Sequence, residues 1–447
     1  MCLFLGGKSV SKIFNEKIET MSREDMEKLQ LERLQNMVDY CIKNVPFYTK
    51  KLAEAGITSG SQIKTLKDIN RIPFTTKDDL RDNYPDGFLA VPKNKVARIH
   101  ASTGTTGKPT VTYYTKKDME VWTDITARVL CIMGVEEDDI VQISMNYGLF
   151  TAGIGFHYAS EKIGCTVIPA STGNTQKQLL MLSDMGATIL MGTPSYATYL
   201  SDVIRKSEYN LEDFKIRKLI VGAERCTKSM LETIKNNLGV DAMDTYGLSE
   251  CFGPGVAAEC DCKCGLHVSE DVFYPEIIDP ATGEQLPEGE QGELVFTSLL
   301  REGMPLLRYR TKDITTLSYD KCECGRTTVR MQAPFARSDD MFVIKGVNVF
   351  PSEIECVIDK IDDLAPYYQI KLERNEQCID NATVFIELKK PCAEYTAEEL
   401  EMIKKKFNKR MKEIALVRMD IVLLDPETLE RYEGKATRVV DLRYKSE

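Results

Sequence analysis

Several features that would assign this chain to a common class are absent from its sequence. No apolar stretch approaches the ~18 consecutive apolar residues that a membrane-spanning helix needs. The amino-terminal residues MCLFLGGKSV contain a short apolar patch without a basic segment or a credible cleavage site, so we expect no signal peptide. Internal repeats, low-complexity tracts and heptad arrays are also missing, which argues against a fibrous or repeat architecture.

An excess of positive charge is missing as well. The chain has 58 basic and 68 acidic residues, a formal net charge of −10, so no basic surface for nucleic acid is indicated at the level of the whole chain. Hydrophobic residues make up 43% and charged residues 28%, the proportions of a soluble globular protein rather than a disordered one. We expect a cytoplasmic protein.

Length and apolar pattern predict two domains. The 447 residues suggest about two or three domains. From about residue 95 to 300, short apolar runs alternate with longer mixed segments, which predicts an α/β domain with a largely parallel sheet and flanking helices. Residues 336–342 (ARSDDMF) are charged and turn-prone, and a new apolar pattern follows them. We therefore predict a large N-terminal domain, 1–336, and a small α+β C-terminal domain, 337–447.

Individual elements can be predicted within both domains. Ser22 is a candidate N-cap for an amphipathic helix over 22–43, in which apolar residues recur at helical spacing. The other predicted elements of the large domain are strands at 140–144, 165–169, 187–192 and 218–223 and a hairpin of 272–278 with 293–297. Those of the small domain are helices at 352–361 and 397–413 and strands near 367–372, 382–388 and 419–424.

Residues 101–110 (ASTGTTGKPT) form a segment rich in glycine and hydroxyl groups. Glycines let successive backbone N–H groups face one concavity, and the hydroxyls and the lysine add donors and charge that suit phosphate oxygens. Pro109 follows the lysine, so this is not a Walker A loop. Strand-like flanks predict a loop between two strands, which is either a phosphate-binding loop or an ordinary polar hairpin loop. The candidate contacts are Ser102, Thr103, Gly104, Thr105, Thr106, Gly107 and Lys108.

Four segments in a fixed order carry a resemblance to a known family. They are ASTGTTGKPT (101–110), DTYGLSE (244–250), RYRTKDI (308–314) and YEGKATR (432–438). Together they resemble the core motifs of the adenylate-forming superfamily. Further segments make the chain more closely similar to phenylacetate–CoA ligases, among them NYGLFTAGIGFHYASEKIG (146–164), GLHVSEDVFYPEIIDP (265–280) and RSDDMFVIKGVNVFPSEIE (337–355). The resemblance implies a large domain and a small mobile C-terminal domain.

The activity implied by the resemblance is that of an ATP-dependent acid–CoA ligase. Members bind ATP and a carboxylic acid, form an acyl-adenylate with release of pyrophosphate, and pass the acyl group to the thiol of CoA. Attack of a carboxylate on the α-phosphate brings anions together, so the protein must neutralise charge and hold the reactants in line. The implied partners are the acid, ATP and CoA, the implied cofactor is Mg²⁺, and a homodimer is expected because family members are often dimers.

The resemblance also assigns roles to individual residues. Glu250 matches the Mg²⁺ ligand, whose carboxylate is a hard oxygen donor suited to that ion. Asp313 and Arg337 match residues that contact the ribose, Tyr246 the residue that stacks on adenine, and Ser249 a residue near the phosphates. The other implied nucleotide contacts are Gly222, Ala223, Glu224, Asp244, Gly247 and Gly346.

Lys435, near the chain end, matches the catalytic lysine of the family. In relatives this side chain enters from the small domain and bonds both the acid and the α-phosphate during adenylation. A flexible point charge suits a group that must arrive and then leave. The small domain is then expected to rotate about a hinge at Asp339, so that the loop 345–348 lines the path of the CoA arm.

The identity of the acid depends on the segment 145–150 (MNYGLF). Relatives usually have tyrosine and glycine where Met145 and Asn146 stand, and Phe150 matches the aromatic wall of their pocket. Tyr147 lies beside it, and Gly222 is a further implied contact. Methionine is flexible and polarizable, so an aryl ring still fits. Phenylacetate is the leading substrate, and an indole-bearing or substituted aryl acid is a close second.

Five cysteines and one of only three histidines fall in ECDCKCGLH (259–267) and KCECGR (321–326). In a reducing compartment such clusters indicate a metal site more than disulfides, although scattered reduced thiols are the alternative. Zn²⁺ takes four sulfur or nitrogen ligands in structural sites. By resemblance to ligases with a C-x-C-G-R segment we predict Cys260, His267, Cys322 and Cys324 as structural zinc ligands, with Cys262 and Cys264 as alternatives.

Two other functions fit the same residues less well. An adenylyltransferase acting on a hydroxyl of a cofactor-like acceptor would share the fold. A zinc-organised interaction protein with an inactive site would not retain Glu250, Asp313 and Lys435 together. An acid-dependent release of pyrophosphate that requires CoA for turnover would distinguish the ligase from both.

Overall fold

The architecture was analysed in a computed structural model of the chain. It describes residues 12–102, 109–224, 226–334, 336–337, 342–344, 347–374, 380–415, 417–431 and 438–442. These residues fall into two compact units, which are described separately below. Unit 1 contains 12–192, 212–223 and 242–334, and unit 2 contains 193–211, 224–241 and the residues from 335 onward. The predicted boundary between residues 336 and 337 stays a prediction.

The helices and strands have the following bounds. The helices are α1 (Glu16–Glu19), α2 (Arg23–Asn44), α3 (Pro46–Glu54), α4 (Lys77–Asp82), α5 (Lys116–Ile132), α6 (Ala152–Ile163), α7 (Thr175–Asp184), α8 (Pro194–Lys206), α9 (Lys228–Leu238), α10 (Pro351–Ile358) and α11 (Ala397–Ala415). The strands are β1 (Val96–Ser102), β2 (Thr110–Thr115), β3 (Ile140–Ile143), β4 (Thr166–Ile168), β5 (Ile189–Gly192), β6 (Lys218–Gly222), β7 (Ala242–Leu248), β8 (Gly253–Glu259), β9 (Leu266–Val268), β10 (Phe273–Ile278), β11 (Gly292–Ser298), β12 (Tyr309–Thr315), β13 (Leu317–Ser318), β14 (Arg330–Met331), β15 (Ala336–Arg337), β16 (Phe342–Ile344), β17 (Val347–Val349), β18 (Leu364–Arg374), β19 (Asp380–Leu388), β20 (Asp420–Leu424) and β21 (Val439–Asp441).

The amino-terminal helix forms as its sequence predicts. The Ser22 hydroxyl accepts a hydrogen bond of 3.2 Å from the backbone N–H of Asp25, which caps α2. Leu34, Val38 and Cys41 lie on one face of α2 and are fully buried in the core of unit 1. The predicted N-cap and helix are therefore confirmed.

A mixed sheet forms the centre of unit 1. The described strands are ordered β13-β14-β9-β8-β7-β6-β5-β3-β4. Strands β4, β3, β5, β6 and β7 pair in parallel, and β8 continues the sheet antiparallel to β7. The four predicted parallel strands correspond to β3, β4, β5 and β6. The apolar runs of β3, β5 and β6 are buried, as is typical of a parallel sheet covered by helices, whereas the edge strand β4 is only partly buried.

This topology determines where a site can form. The carboxyl ends of parallel strands meet at one edge of a sheet, and ligands of α/β proteins bind outside that edge. Residues 144–150 follow β3, Ala223 follows β6, and residues 249–252 follow β7. Three of the segments singled out from the sequence therefore lie at the same edge.

Two smaller antiparallel groups complete unit 1. Strand β1 pairs with β2, and β11 pairs with β10 on one side and β12 on the other. The hairpin predicted for 272–278 and 293–297 is thus confirmed as β10 and β11. Unit 1 contains no helix long and apolar enough to cross a membrane, and neither does any other described part of the chain.

Unit 2 has its own core around a four-stranded sheet. The described strands are ordered β20-β19-β18-β21, with β18 and β19 antiparallel and the outer strands parallel to their neighbours. Helices α10 and α11 contribute Ile354, Phe407 and Met411 to this core. The helices and strands predicted between 352 and 424 are present, although α10 ends at Ile358, three residues before the predicted end.

Candidate functional site

The glycine-rich segment lies between two paired strands. The β1 residue Ser102 is the register partner of Thr110 at the start of β2, so the intervening residues connect adjacent antiparallel strands, as predicted. Thr103, Gly104, Thr105, Thr106, Gly107 and Lys108 lie outside the described residues, and of Ser102 only the backbone is described. Their role as phosphate contacts therefore stays a prediction.

Glu250 lies in a short 3₁₀ turn, Ser249–Cys251, directly after β7. Its side chain is buried, with 6% of the residue exposed. The Ser249 hydroxyl lies 3.3 Å from the hydroxyl of Thr151, and the Tyr114 hydroxyl donates to the Ser249 carbonyl at 3.3 Å. The turn is thus fixed from two sides.

A cation that the sequence did not point to lies next to this carboxylate. The ammonium of Lys77 is 3.8 Å from Oε1 of Glu250. Lys77 begins α4, whose start is fixed by a capping box in which Thr76 and Asp79 bond each other's backbone N–H. The motif TTKDD predicts the helix start, but nothing in it indicates the distant carboxylate.

Tyr246 and Asp313 meet although 67 positions separate them. Tyr246 lies on β7 and Asp313 on β12, and the tyrosine hydroxyl donates to Oδ2 of Asp313 at 2.5 Å. Asp313 is only 7% exposed. The two residues that the family resemblance assigns to adenine and ribose therefore lie side by side, near the end of β7 that leads to Glu250.

Close backbone packing accounts for two of the predicted glycines. A Cβ on Gly247 would lie 2.1 Å from the carbonyl oxygen of Gly253, and one on Gly222 would lie 2.6 Å from that of Thr245. Neither position can hold a side chain without moving a strand. Both glycines are therefore explained by the close approach of a neighbouring strand.

Of the two residues after Gly222, Ala223 is notable for its backbone conformation and Glu224 for its hydrogen bonds. Ala223 has a positive φ of 69°, the left-handed conformation that a non-glycine residue rarely adopts. Glu224 belongs to unit 2, where its Oε2 accepts hydrogen bonds from the N–H (3.3 Å) and the hydroxyl (2.7 Å) of Ser195.

Asp244 is the carboxylic acid of β7. Burial, and next the charge of Glu259, raise the pKa of Asp244 to about 8. At neutral pH this carboxyl is therefore mostly protonated and can donate a hydrogen bond.

The residues predicted to line the acyl pocket follow β3 and pack against the core of unit 1. Met145 is 3% exposed, and Tyr147 and Phe150 pack against the same apolar cluster. The Tyr147 hydroxyl lies 3.2 Å from Nδ1 of His157, and Nε2 of His157 is 3.1 Å from Glu161. Burial, and next the charge of Glu161, raise the pKa of Tyr147, so its hydroxyl stays protonated.

His100 supports the same segment from the neighbouring strand β1. Its Nδ1 is 3.0 Å from the carbonyl oxygen of Leu149. Burial is the main cause that lowers the pKa of His100, so the ring is neutral and donates from Nδ1. From the sequence, both histidines are expected to be structural or near the site, without a role in metal binding.

Four cysteine and histidine side chains come together at the other end of β8. The donor atoms of Cys260, His267, Cys322 and Cys324 all lie within 4.8 Å of one another, and all four residues are buried. The sulfurs of Cys260 and Cys322 are 3.7 Å apart, and Cys324 Sγ is 3.4 Å from Nε2 of His267. These are the four residues named from the sequence.

The contacts within this cluster favour charge on the thiols of Cys322 and Cys324, whereas the hydrogen bond with Cys322 is the leading cause that raises the pKa of Cys260. The hydroxyl of Thr328 lies 3.0 Å from Nδ1 of His267, so Nε2 is the nitrogen that faces the thiols. A hydrogen bond with Cys260 is the leading cause that lowers the pKa of Cys322 and of Cys324. Cys262 and Cys264 lie at the edge of the cluster and are partly exposed.

For the remaining predicted site residues, the structure describes the backbone alone or nothing. Asp339, Gly346 and Lys435 belong to segments that the structure does not describe, and of Arg337 only the backbone in β15 is described. Their roles stay predictions.

Comparison with known proteins identifies the family. The chain matches the family model described as AMP-binding enzyme over residues 27–299 and that described as AMP-binding enzyme C-terminal domain over 346–443. It is 28% identical to a crystal structure of 2-hydroxyisobutyryl-CoA ligase in the postadenylation state with 2-HIB-AMP, with a TM-score of 0.87 over 96% of this chain and 92% of the other. The α/β adenylate-forming fold expected from the sequence is confirmed.

Curated relatives narrow the class further. The chain is 42% identical to a phenylacetate-coenzyme A ligase of Thermus thermophilus over 96% of this chain and 100% of the relative. It is 44% identical to one of Pseudomonas putida over 96% of this chain and 97% of the relative. The chain belongs to the phenylacetate–coenzyme A ligase family of AMP-binding enzymes. It activates an acid with ATP to an acyl-AMP and forms the CoA thioester, as the sequence predicted.

Proposed function

We propose that the acid is an aryl acid, with phenylacetate as the leading substrate. The support is the name of the curated relatives and the apolar character of the segment 145–150. Met145 replaces the tyrosine usual in this position, and its flexible thioether leaves room for a larger or substituted ring. Indoleacetate and substituted phenylacetates are therefore the second candidates.

The observation that carries the proposed nucleotide site is the contact between Tyr246 and Asp313. A hydroxyl and a carboxylate 2.5 Å apart on neighbouring parts of unit 1 offer an aromatic face for the base and oxygens for the ribose hydroxyls. Glu250 follows four residues after Tyr246. The loop 102–108 would hold the outer phosphates with backbone N–H groups, hydroxyls and Lys108.

Glu250 is the proposed ligand of Mg²⁺. Its buried carboxylate already attracts one cation, the ammonium of Lys77, so the position fits a divalent ion with oxygen ligands. When bound, Mg²⁺ neutralises phosphate charge. Lys77 then becomes free to turn its ammonium toward an anion of the nucleotide.

Lys435 is the proposed catalytic residue for adenylation. Its ammonium would neutralise the approaching carboxylate and the α-phosphate together, an arrangement that lowers the barrier because the charge is already in position. After pyrophosphate leaves, the hinge at Asp339 would withdraw this lysine and bring Gly346 toward the path of CoA.

A structural zinc ion is proposed for Cys260, His267, Cys322 and Cys324. A tetrahedral ion with Zn–S bonds of about 2.3 Å separates two sulfurs by about 3.8 Å, close to the 3.7 Å between Cys260 and Cys322. The hydrogen bond of His267 to Thr328 is the outer contact that zinc-bound histidines usually make. Four protein donors leave no position for substrate, so the role is structural.

The cellular setting and assembly are also proposals. Twelve described cysteines are free thiols, which suits a reducing cytoplasm where ATP and CoA are available. A homodimer is proposed because members of the family are often dimers. Light scattering of the purified chain would measure its molar mass in solution.

A panel of acids tests the proposed function. Phenylacetate, indoleacetate, benzoate and 2-hydroxyisobutyrate would be incubated with ATP, Mg²⁺ and CoA, and the thioesters quantified. We expect the arylacetates to give the highest kcat/KM and pyrophosphate to be released without CoA. Preference for the small hydroxy acid would contradict the aryl pocket, and turnover onto an acceptor other than CoA would favour the adenylyltransferase.

A further inference from the structure

Arg301 is a buried cation close to the turn that carries Glu250. It follows the end of β11 by three residues and is 3% exposed. Its guanidinium carbon lies 4.4 Å from the ring centre of Tyr114 and 4.0 Å from that of Phe252. A planar guanidinium held at this distance from two aromatic rings is attracted to both.

The hydrogen bonds of this guanidinium are incomplete. Among the described residues, Nη2 has an acceptor in the carbonyl oxygen of Tyr113 at 3.3 Å, whereas Nε and Nη1 have none. Within the described part of the chain no carboxylate pairs with it. Such burial costs free energy that a neutral side chain would avoid. The rings that it joins are therefore the place to look for its role.

Both rings belong to contacts that hold the turn. The Tyr114 hydroxyl is 3.3 Å from the carbonyl oxygen of Ser249 and 3.1 Å from that of Phe252, so one hydroxyl spans the segment that contains Glu250. Phe252 has a positive φ of 70°, a backbone conformation that surrounding structure must maintain. Arg301 touches the tyrosine on one side of this segment and the phenylalanine at its end.

We propose that Arg301 is a positioning residue for the metal–nucleotide complex. By holding Tyr114 and Phe252 in place, it fixes residues 249–252 and so the direction of the Glu250 carboxylate. Residues behind a metal ligand act in this way, and their loss weakens metal binding without removing the ligand. The inference rests on the proposed role of Glu250 as the Mg²⁺ ligand.

Three variants separate the parts of this arrangement. Arg301→Met removes the charge and the planar group, Arg301→Lys keeps the charge alone, and Tyr114→Phe keeps the ring but removes the hydroxyl. The direct readout is the Kd of Mn²⁺ in the presence of a non-hydrolysable ATP analogue, measured by electron paramagnetic resonance. The Mg²⁺ dependence of acid-dependent ATP–pyrophosphate exchange gives the corresponding KM and kcat.

We expect Arg301→Met to raise the Kd of Mn²⁺ and the KM for Mg²⁺ by about 10- to 100-fold, the range for residues behind a metal ligand. Tyr114→Phe shifts both in the same direction, and Arg301→Lys falls between Arg301→Met and the wild type. At saturating Mg²⁺ the kcat recovers, because Glu250 itself is still present.

Arg128→Lys is the matched control. Arg128 is also 3% exposed, and its Nη1 lies 2.6 Å from Oδ1 of Asp271, with no described contact to residues 249–252. This variant is expected to lower the Tm and leave Mn²⁺ binding unchanged. A general loss of packing would instead change Mn²⁺ binding in both arginine variants alike, which would contradict the inference.

Glu250→Gln, measured alongside, separates the two levels of the proposal. If Glu250→Gln weakens Mn²⁺ binding whereas Arg301→Met and Tyr114→Phe do not, the role of Arg301 is wrong and that of Glu250 stands. If Glu250→Gln also binds Mn²⁺ like the wild type, the proposed metal ligand is wrong, and the inference with it. Should Arg301→Met fail to fold, Arg301→Lys and Tyr114→Phe decide the question.

Discussion

Lys435 is the single side chain on which the adenylation step is expected to depend most. Lys435→Ala removes the charge that brings a carboxylate and a triphosphate together, so acyl-AMP formation should fall by about 10²–10³, the scale for one preorganised donor. Thioester formation from supplied acyl-AMP should change much less. Both rates are measurable separately, by pyrophosphate exchange and by thioester release.

Lys404→Ala provides the comparison for this variant. Lys404 is a partly exposed residue of α11, and its ion pair within the described part of the chain is with Glu401, one turn earlier. Lys404→Ala removes a lysine of unit 2 that is not among the predicted site residues. Equal loss in both half-reactions for Lys435→Ala would contradict the alternating role of the small domain.

Asp244 predicts a pH dependence of stability. Its pKa of about 8 in the folded chain lies above the 3.8 of an ordinary aspartate. The native chain therefore keeps a proton that the unfolded chain has released, and the associated stability is full below pH 4 and lost as the pH rises toward 8. Each unit of such a shift corresponds to about 1.4 kcal/mol.

Asp244→Asn should accordingly gain stability relative to the wild type as the pH rises from 4 to 8, in urea denaturation at constant ionic strength. Asp279→Asn is the control of opposite sign. Backbone hydrogen bonds from Thr282, and next from Ala281, lower the pKa of Asp279, so its contribution is present at neutral pH and lost in acid. If the free energy of unfolding of Asp244→Asn changes with pH in parallel with that of the wild type, the raised pKa of Asp244 is wrong.

The pairing of β7 with β8 leaves no room for a side chain at Gly247. In Gly247→Ala the new Cβ would lie 2.1 Å from the Gly253 carbonyl, so β8 and the Glu250 turn must move apart. We expect a loss of about 1–3 kcal/mol in unfolding free energy. Nucleotide affinity, measured by calorimetry, should fall in parallel.

Gly186→Ala separates this steric effect from simple backbone strain. Gly186 has a φ of 63° with open space around it, so alanine there meets strain but no neighbour. Stability should fall and nucleotide affinity should stay as in the wild type. If Gly247→Ala behaves in the same way, the β7–β8 packing does not position the site.

The cysteine–histidine cluster concerns the stability of the whole of unit 1, because it joins residues more than 50 positions apart. Purified protein should contain one zinc per chain by mass spectrometry of the metals. Cys260→Ser should lower both the zinc content and the Tm, since a structural ion stabilises only the folded chain. Cys262→Ser should retain both, because its thiol is outside the four donors.

The sequence predicted the parts of this molecule that have local or periodic signals. The α2 cap at Ser22 follows from residue type, and β3 to β6 follow from apolar runs too short for helices. The family motifs pointed to Tyr246, Glu250 and Asp313. Long-range contacts had no such signal.

Lys77 shows why those contacts could not be predicted. It lies 173 positions before Glu250, and a lysine at a helix start is usually solvated. Arg301 is similar, because its partners are Tyr114 on β2 and Phe252 between β7 and β8, and only folding brings them close to it. Sequence spacing contains no information of this kind unless a known family supplies it.

Strand β8 begins at Gly253, directly after the Glu250 turn, and ends at Glu259, directly before Cys260. This strand, about 20 Å long, thus joins the turn that contains Glu250 to the cysteine–histidine cluster. If zinc occupies the cluster as proposed, a chain that folds without zinc lacks the metal at the Cys260 end of this strand. We then expect the zinc-free protein to bind ATP more weakly than the zinc-loaded protein.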